Sequence, residues 1–343
     1  MWKKLKRPVG CVIFLAVGAW IMIHAAFVLR PVGTGTYREV LPGFYSEEKD
    51  SLDVVCIGSS AVHRYINPNV LWRETGITSY CLVSGSMPAV FPRFLMDEAE
   101  KTQSPDLYIV EVREFIKEHK RARHGIKTYR VMNNMDFSLN KLKLSAYIAR
   151  RPAQIVTGFM DLLTNHSNWE NLTAENLSYF RNRKEQDMKG WYTITRRKKQ
   201  KKPETVPQID ASLGEYEREE MALLLDECAK KNRKVLFVAM PYVYDETFQA
   251  KNEELRGMVT EAGFDYLDLT KDNVCGLNYK RDFYDHGHVN VRGSEKVSKV
   301  LSDYLSEHYE FSRGYSEEVV RSYEESCSAY QKELDEYLQG RAG

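Results

Sequence analysis

Cysteine is scarce: six residues, at positions 11, 56, 81, 228, 275 and 327, are spread over 343. That spacing suits neither a disulfide framework nor a zinc site, so most of the thiols read as small buried hydrophobes, with Cys56 and Cys81 left open as an extracellular pair. Net charge is also missing. With 49 Lys and Arg against 48 Asp and Glu, the composition gives no reason to expect nucleic-acid binding. After the first thirty residues no apolar run is long enough to cross a membrane. What the chain does have is 43% hydrophobic residues, with 21 Tyr and 14 Phe, enough for the core of one large domain or two modest ones.

The first thirty residues differ in kind. Val9 to Leu29 holds no formal charge, and as a helix rising ~1.5 Å per residue it would reach ~32 Å, close to the hydrocarbon thickness of a bilayer. Lys3, Lys4, Lys6 and Arg7 precede this run, whereas only Arg30 follows it at once. The imbalance predicts a single-pass anchor with a cytoplasmic N-terminus and an extracytoplasmic remainder. A cleaved signal peptide ending near His24-Ala25-Ala26 is the competing reading, but the run exceeds the ~7 to 15 residues of a signal core.

Beyond a linker over residues 31–50, short aliphatic runs alternate with amphipathic stretches. Strands are expected at Asp53–Ile57, Thr78–Val83, Leu107–Val112, Lys234–Met240 and Phe264–Leu269. Helices are expected near Pro92–Thr102, Glu215–Lys231, Lys251–Ala262 and Val291–His308. This alternation predicts an α/β domain over residues 51–312, with about five parallel strands and crossover helices on both faces. Residues 121–208 break the rhythm and read as an insertion, helical over Asn140–Leu163 and rich in aromatics thereafter, among them Trp169, Tyr179, Phe180, Trp191 and Tyr192. Core packing is the first explanation for these rings, stacking on sugars the second. Six of the seven residues from Arg196 to Lys202 are basic, which suits a solvated loop or contact with a polyanionic surface polymer or lipid headgroups. In the last segment, 313–343, Val319, Tyr323, Cys327, Tyr330, Leu334 and Tyr337 mark one helix face expected to dock on the domain.

Two segments carry chemistry. The first strand runs straight into Gly58-Ser59-Ser60, where glycine permits a tight turn and a serine amide can face the same point as a serine hydroxyl. Much later comes Asp282-Phe-Tyr-Asp285-His286-Gly287-His288-Val-Asn290-Val-Arg-Gly293. A serine needs an imidazole to take its proton, and the imidazole needs a carboxylate to fix its tautomer. Asp285 and His288, three apart, can supply both. Asn290 then caps the following helix, and Gly293 allows close packing in its first turn. A polar loop of purely structural histidines is the plainer alternative. Metal binding by His286 and His288 with Asp282 or Asp285 is another, without a further His or Cys cluster to complete it.

Together, the strand-borne Gly-Ser-Ser and the Asp-x-x-His before the last sheet-packing helix resemble the SGNH/GDSL hydrolase superfamily. The resemblance covers about Leu52 to His308, excluding the insertion. It implies a three-layer flavodoxin-like fold, with Ser60 as nucleophile, His288 as base and Asp285 as its orienting partner. It also implies an oxyanion hole from the amides of Ser60 and Gly85, the latter in Val83-Ser-Gly-Ser-Met-Pro88. The family's third block, Gly-x-Asn-Asp, is not found: the third strand ends Ile109-Val-Glu-Val-Arg113-Glu-Phe115. Arg113 is the candidate replacement donor, with an ion pair to Glu111 or Glu114 as the alternative.

Gly-Ser-Ser in place of Gly-Asp-Ser, the N-terminal anchor and the mid-chain insertion are similar to the branch that includes the D-alanyl transfer protein of lipoteichoic acid synthesis. Proteins that handle O-acetyl groups on exported polysaccharides share these traits. The resemblance implies a serine esterase or O-acyltransferase on a cell-envelope glycan or teichoic-type polymer, working without a cofactor beside a multi-span membrane O-acyltransferase. A glycan-binding module or scaffold that kept the fold without the activity is the rival expectation.

Overall fold

Runs of Val, Ile, Leu and Tyr without polar alternation build the sheet, as strands covered on both faces require. The computed structural model describes residues 2–30, 39–117, 126–181, 188–202, 206–242, 244–311 and 314–339. Five strands, β1 (Val54–Gly58), β2 (Ser79–Val83), β3 (Leu107–Glu111), β4 (Val235–Ala239) and β5 (Asp265–Asp268), lie in the order β2-β1-β3-β4-β5. Every neighbouring pair is parallel. The first four are buried along their whole length, and β5, at the edge, only in part. All five expected strands are present, their ends within one residue of the expected positions. A separate antiparallel hairpin joins β6 (Phe283–Asp285) to β7 (His288–Val289).

Helix α1 (Trp2–Val28) contains, in Pro8–Val28, a 21-residue segment long and apolar enough to cross a membrane. Next come α2 (Val40–Phe44), α3 (Ser60–Tyr65) and α4 (Pro68–Thr75) around β1, and α5 (Phe91–Ala99) between β2 and β3. After β3 follow α6 (Arg113–Ile116), α7 (Ile126–Met132), α8 (Leu139–Ile148), α9 (Pro152–Phe159), α10 (Asp161–Asn165) and α11 (Ala174–Arg181). Over residues 126–181 the predicted insertion is therefore largely helical. Then α12 (Glu215–Lys230) leads into β4 and α13 (Phe248–Glu261) into β5, while α14 (Val291–His308) follows the hairpin and α15 (Glu317–Gln339) comes last. Helices α3, α4, α14 and α15 pack together, and α5, α6, α12 and α13 form a second group.

Three details depart from or sharpen the expectations. The linker is core in its middle: Val40, Leu41 and Phe44 are buried, Phe44 lies edge-on to Tyr80 at 5.4 Å, and the Tyr80 hydroxyl donates to the Val40 carbonyl at 2.8 Å. Residues 31–38 of that linker fall outside the described residues. Cys56 and Cys81 face each other across β1 and β2 as free buried thiols. The edge of β2 is covered by the insertion's return, where Cys81 N donates to Lys189 O at 3.0 Å, which blunts an otherwise exposed strand edge. As its periodicity predicts, α15 docks on the domain through Val319, Tyr323, Tyr330 and Tyr337, and the Tyr323 hydroxyl donates to Ser79 O at 2.8 Å.

Candidate active site

Strand β1 ends at Gly58, and the next connections diverge: the chain after β1 leads to β2 on one side, whereas the chain after β3 leads to β4 on the other. Between the carboxyl ends of β1 and β3 lies the switch point at which open α/β sheets bind ligands. Glycine is required at 58, because a Cβ there would stand 2.6 Å from Val62 Cγ2 and 3.0 Å from Glu111 Cβ. That close approach lets β1 turn at once into α3. Ser59 caps α3, its buried hydroxyl accepting from Ala61 N and donating to Glu111 Oε2, both at 3.4 Å. Ser60, the first residue of α3, is partly exposed, and its amide has no intrahelical acceptor.

The hairpin supplies the other two groups. Asp285 and His288 are cross-strand partners in the β6–β7 register, with His286-Gly287 as the connection, so their side chains meet on one face. His288 Nδ1 lies 2.8 Å from Asp285 Oδ1 and 3.0 Å from Oδ2, and His288 Nε2 lies 2.7 Å from Ser60 Oγ. Burial works to raise the Asp285 pKa, but the bond to His288, its charge and the Gly287 amide overcome it and hold the carboxyl down to about 2. An ionised Asp285 accepts the Nδ1 proton, which leaves Nε2 to accept from the Ser60 hydroxyl. Burial of His288 pulls its imidazole below the ordinary value, more than Asp285 raises it. The neutral form is thereby favoured. The arrangement can carry a proton from alcohol to imidazole.

Packing fixes the hairpin against α14. Asn290 caps that helix, accepting from Arg292 N at 3.1 Å and Gly293 N at 3.4 Å. A Cβ on Gly293 would come within 2.5 Å of both Asp282 O and Val289 Cβ, so both expectations about this turn hold. Asp282 is buried and pairs with Lys296 at 2.6 Å, while His286 is exposed. Among the described residues no group of three His, Cys, Asp or Glu side chains could hold a metal ion.

Arg113 occupies the place where an asparagine was expected, but faces inward. It is 2% exposed, its Nη2 donates to Gly287 O at 2.6 Å, and its guanidinium stacks on Tyr242 with 4.0 Å to the ring centroid. Its contact with Glu111 is made by the backbone amide, which donates to Oε1 at 2.9 Å. Gly85 sits in the turn after β2, tied to the end of β1 by Ser84 N donating to Gly58 O at 3.4 Å. Sequence reading missed three groups around the site. Tyr65 reaches Gly287 O at 3.4 Å and Pro241 O at 3.3 Å; Tyr242 holds Arg113; His63 is buried edge-on to Tyr192 at 4.8 Å, its pKa lowered by burial, by Arg64 and by His288. Only tertiary contact distinguishes these from ordinary core residues.

The insertion's aromatics divide. Trp191 is buried against Tyr330 at 5.3 Å, Tyr192 is partly buried, and Trp169 is 64% exposed. The side chains of Tyr179 and Phe180 lie outside the described residues. The basic run is exposed and lies beside the hairpin, with Lys198 N donating to Phe283 O at 2.9 Å and Arg196 over the Tyr284 ring at 6.0 Å. No protein-family model matches the chain, and no curated protein matches it.

Proposed function

We propose that the chain is a membrane-anchored, extracytoplasmic serine esterase or O-acyltransferase of the SGNH/GDSL type, acting on acyl esters of a cell-envelope polysaccharide or teichoic-type polymer. The observation that carries this reading is the unbroken relay Ser60–His288–Asp285, with contacts of 2.7 Å and 2.8 Å built from segments 228 residues apart. A chance polar loop would not align hydroxyl, imidazole and carboxylate in that order at a sheet's switch point. The strand order supports a three-layer flavodoxin-like domain, since right-handed crossovers on either side of the β1/β3 switch put helices on both faces.

In this mechanism the Ser60 oxygen attacks the ester carbonyl as His288 Nε2 takes its proton, and the C=O π pair moves to oxygen. The amides of Ser60 and Gly85 hold that oxyanion. Collapse expels the alcohol, which receives the proton from His288, and leaves an acyl-serine. Water then releases the acid, or a sugar hydroxyl takes the acyl group. Arg113 acts through the Gly287 carbonyl, keeping the hairpin in place. A multi-span membrane O-acyltransferase is the partner this reading implies, and the exposed basic run beside the hairpin favours a polyanionic polymer. The excess of Lys and Arg in the first turns of α1, ahead of its apolar segment, favours a cytoplasmic N-terminus.

A fluorophosphonate probe tests the nucleophile. The parent protein should label at Ser60 and hydrolyse p-nitrophenyl acetate, and Ser60→Ala should lose both. Equal rates for parent and variant would remove the assignment and leave the scaffold reading, which the absent third-block asparagine favours.

A further inference from the structure

The insertion presents a second surface that the serine relay does not use, at the point where α1 ends. Arg30, just past α1, is buried: its Nη2 and Nε donate to Asp161 Oδ2 at 2.7 Å and 3.0 Å, and Nη2 also reaches Met135 O at 2.8 Å. Asn176 Nδ2 donates to the carbonyls of Val28 and Arg30, each at 2.9 Å, and Asn168 Nδ2 to Leu29 O at 3.1 Å. These amides satisfy carbonyls that the end of α1 leaves without helical partners. The insertion is thus fastened within a residue or two of where the apolar run stops.

Around this fastening the insertion is apolar and uncovered. Among the described residues outside α1, seven of the eleven exposed large hydrophobics lie between Leu139 and Leu177, including Val156 at 52%, Leu163 at 49% and Trp169. From Pro152 to Leu163 the one charged side chain is Asp161, buried against Arg30 and Lys141. Phe159 of α9 lies edge-on to Phe137 at 5.5 Å, and Phe137 edge-on to Phe27 of α1 at 6.0 Å. Helix α9 is therefore two ring contacts from the last turn of α1. Exposed Arg150 and Arg151 stand at its start.

Apolar side chains clustered in one exposed patch are unfavourable in water and mark a surface that meets another apolar medium. With α1 in a bilayer, the medium beside its last turn is the headgroup region, ~5 to 8 Å deep on each side of the hydrocarbon. We propose that the 126–181 insertion is a collar lying in that interface, its exposed apolar side chains at the acyl boundary and Arg150 and Arg151 at the lipid phosphates. Lipid is the occupant because the patch is continuous with a membrane-spanning segment and needs no second protein to explain its place. The collar rests on α1 spanning the membrane, and it sets the height of the domain above the bilayer instead of leaving it on a tether.

The test uses the full chain, alone, in phosphatidylcholine/phosphatidylglycerol vesicles. Cys11→Ser with Cys327→Ser leaves only the four buried cysteines. Single cysteines then replace Val156, Leu163 or Trp169 in the collar, Leu15 in the span and Ile209 elsewhere on the surface, each labelled with the fluorophore NBD and checked for parental thermal unfolding. Nitroxide lipids should quench the collar and Leu15 positions several-fold more than Ile209, and aqueous iodide should rank them in reverse. Quenching by lipid at Leu15 while the collar responds only to iodide would refute the collar and keep the span. Collar positions shielded from both quenchers would mark a face covered by a second copy and refute it equally. No lipid quenching at Leu15 would remove both.

Discussion

At the residue scale, His288 is set by opposed influences whose sum has a measurable sign. Burial and the positive charges of Arg113 and Arg64 lower its pKa, Asp285 raises it, and the net shift is downward from 6.5. A base must be neutral to accept a proton, so the acid limb of kcat/KM for p-nitrophenyl acetate should have its midpoint below ~6.5. A midpoint above 7.5 would contradict a buried neutral base. His288→Ala should lower kcat by ~1000-fold or more, whereas exposed His286→Ala should retain most activity. Beneath Ser59, Glu111 provides a stability counterpart. Burial pushes its carboxyl up to about 7, against the pull of Arg113. A folded-state pKa above the unfolded one means that its contribution is complete below about 4.5 and is lost as pH rises through 7. Glu111→Gln, which keeps an acceptor for the Arg113 amide, should match the parent's stability at pH 4.5 and exceed it by up to roughly 3 kcal/mol at pH 8. Urea unfolding at the two pH values measures this, and a pH-independent difference would refute it.

At the scale of elements, the hairpin is what the relay depends on. Arg113 clamps its Gly287 carbonyl, and its charge also depresses His288. Two substitutions separate these effects. Arg113→Met should lower kcat ~10 to 100-fold with KM little changed and move the acid limb upward; Arg113→Lys should lower kcat while leaving the limb in place. Equal limbs in both variants would remove the electrostatic role, and a loss of ~100 to 1000-fold in both would restore Arg113 as an oxyanion donor. The strands were legible in the sequence because short unbroken runs such as Val54-Val55-Cys56-Ile57, rich in β-branched residues and closed by Gly58, suit a buried strand better than a helix. The Asp285-x-x-His288 spacing was legible as a pair, but the antiparallel register that joins them was not, since a two-residue β7 has no periodicity to read. Likewise Gly58-Ser59-Ser60 shows two hydroxyls, and only the start of α3 sends one to cap the helix and the other to His288.

For the whole molecule, the joint between α1 and the domain is electrostatic and lies inside the insertion. Arg30 and Lys141 converge on Asp161, all three fully or nearly buried, and burial, offset in part by Asp161, holds the Lys141 ammonium down to about 8. Nothing in the sequence announces this joint, because residues 131 and 20 positions away from their partner meet only after folding. Removing one member of a buried charged cluster leaves the others unpaired and costs ~3 to 5 kcal/mol. Asp161→Asn should therefore act locally. The insertion also joins the α/β core away from Asp161, through Asn140 Nδ2 to Phe94 O at 2.9 Å and to Glu98 Oε2 at 2.8 Å, and through Leu144 and Ile148, which belong to the same buried cluster as the sheet, so those contacts still hold it when the joint is weakened. Hydrogen exchange on the full chain in vesicles should show faster exchange over residues 25–30 and 126–165 in the variant, with β1 and β3 unchanged and p-nitrophenyl acetate hydrolysis retained. Equal loss of protection in β1 and β3 would mean that the α1 joint and the sheet unfold as one unit, and the hydrolytic rate should then fall with them.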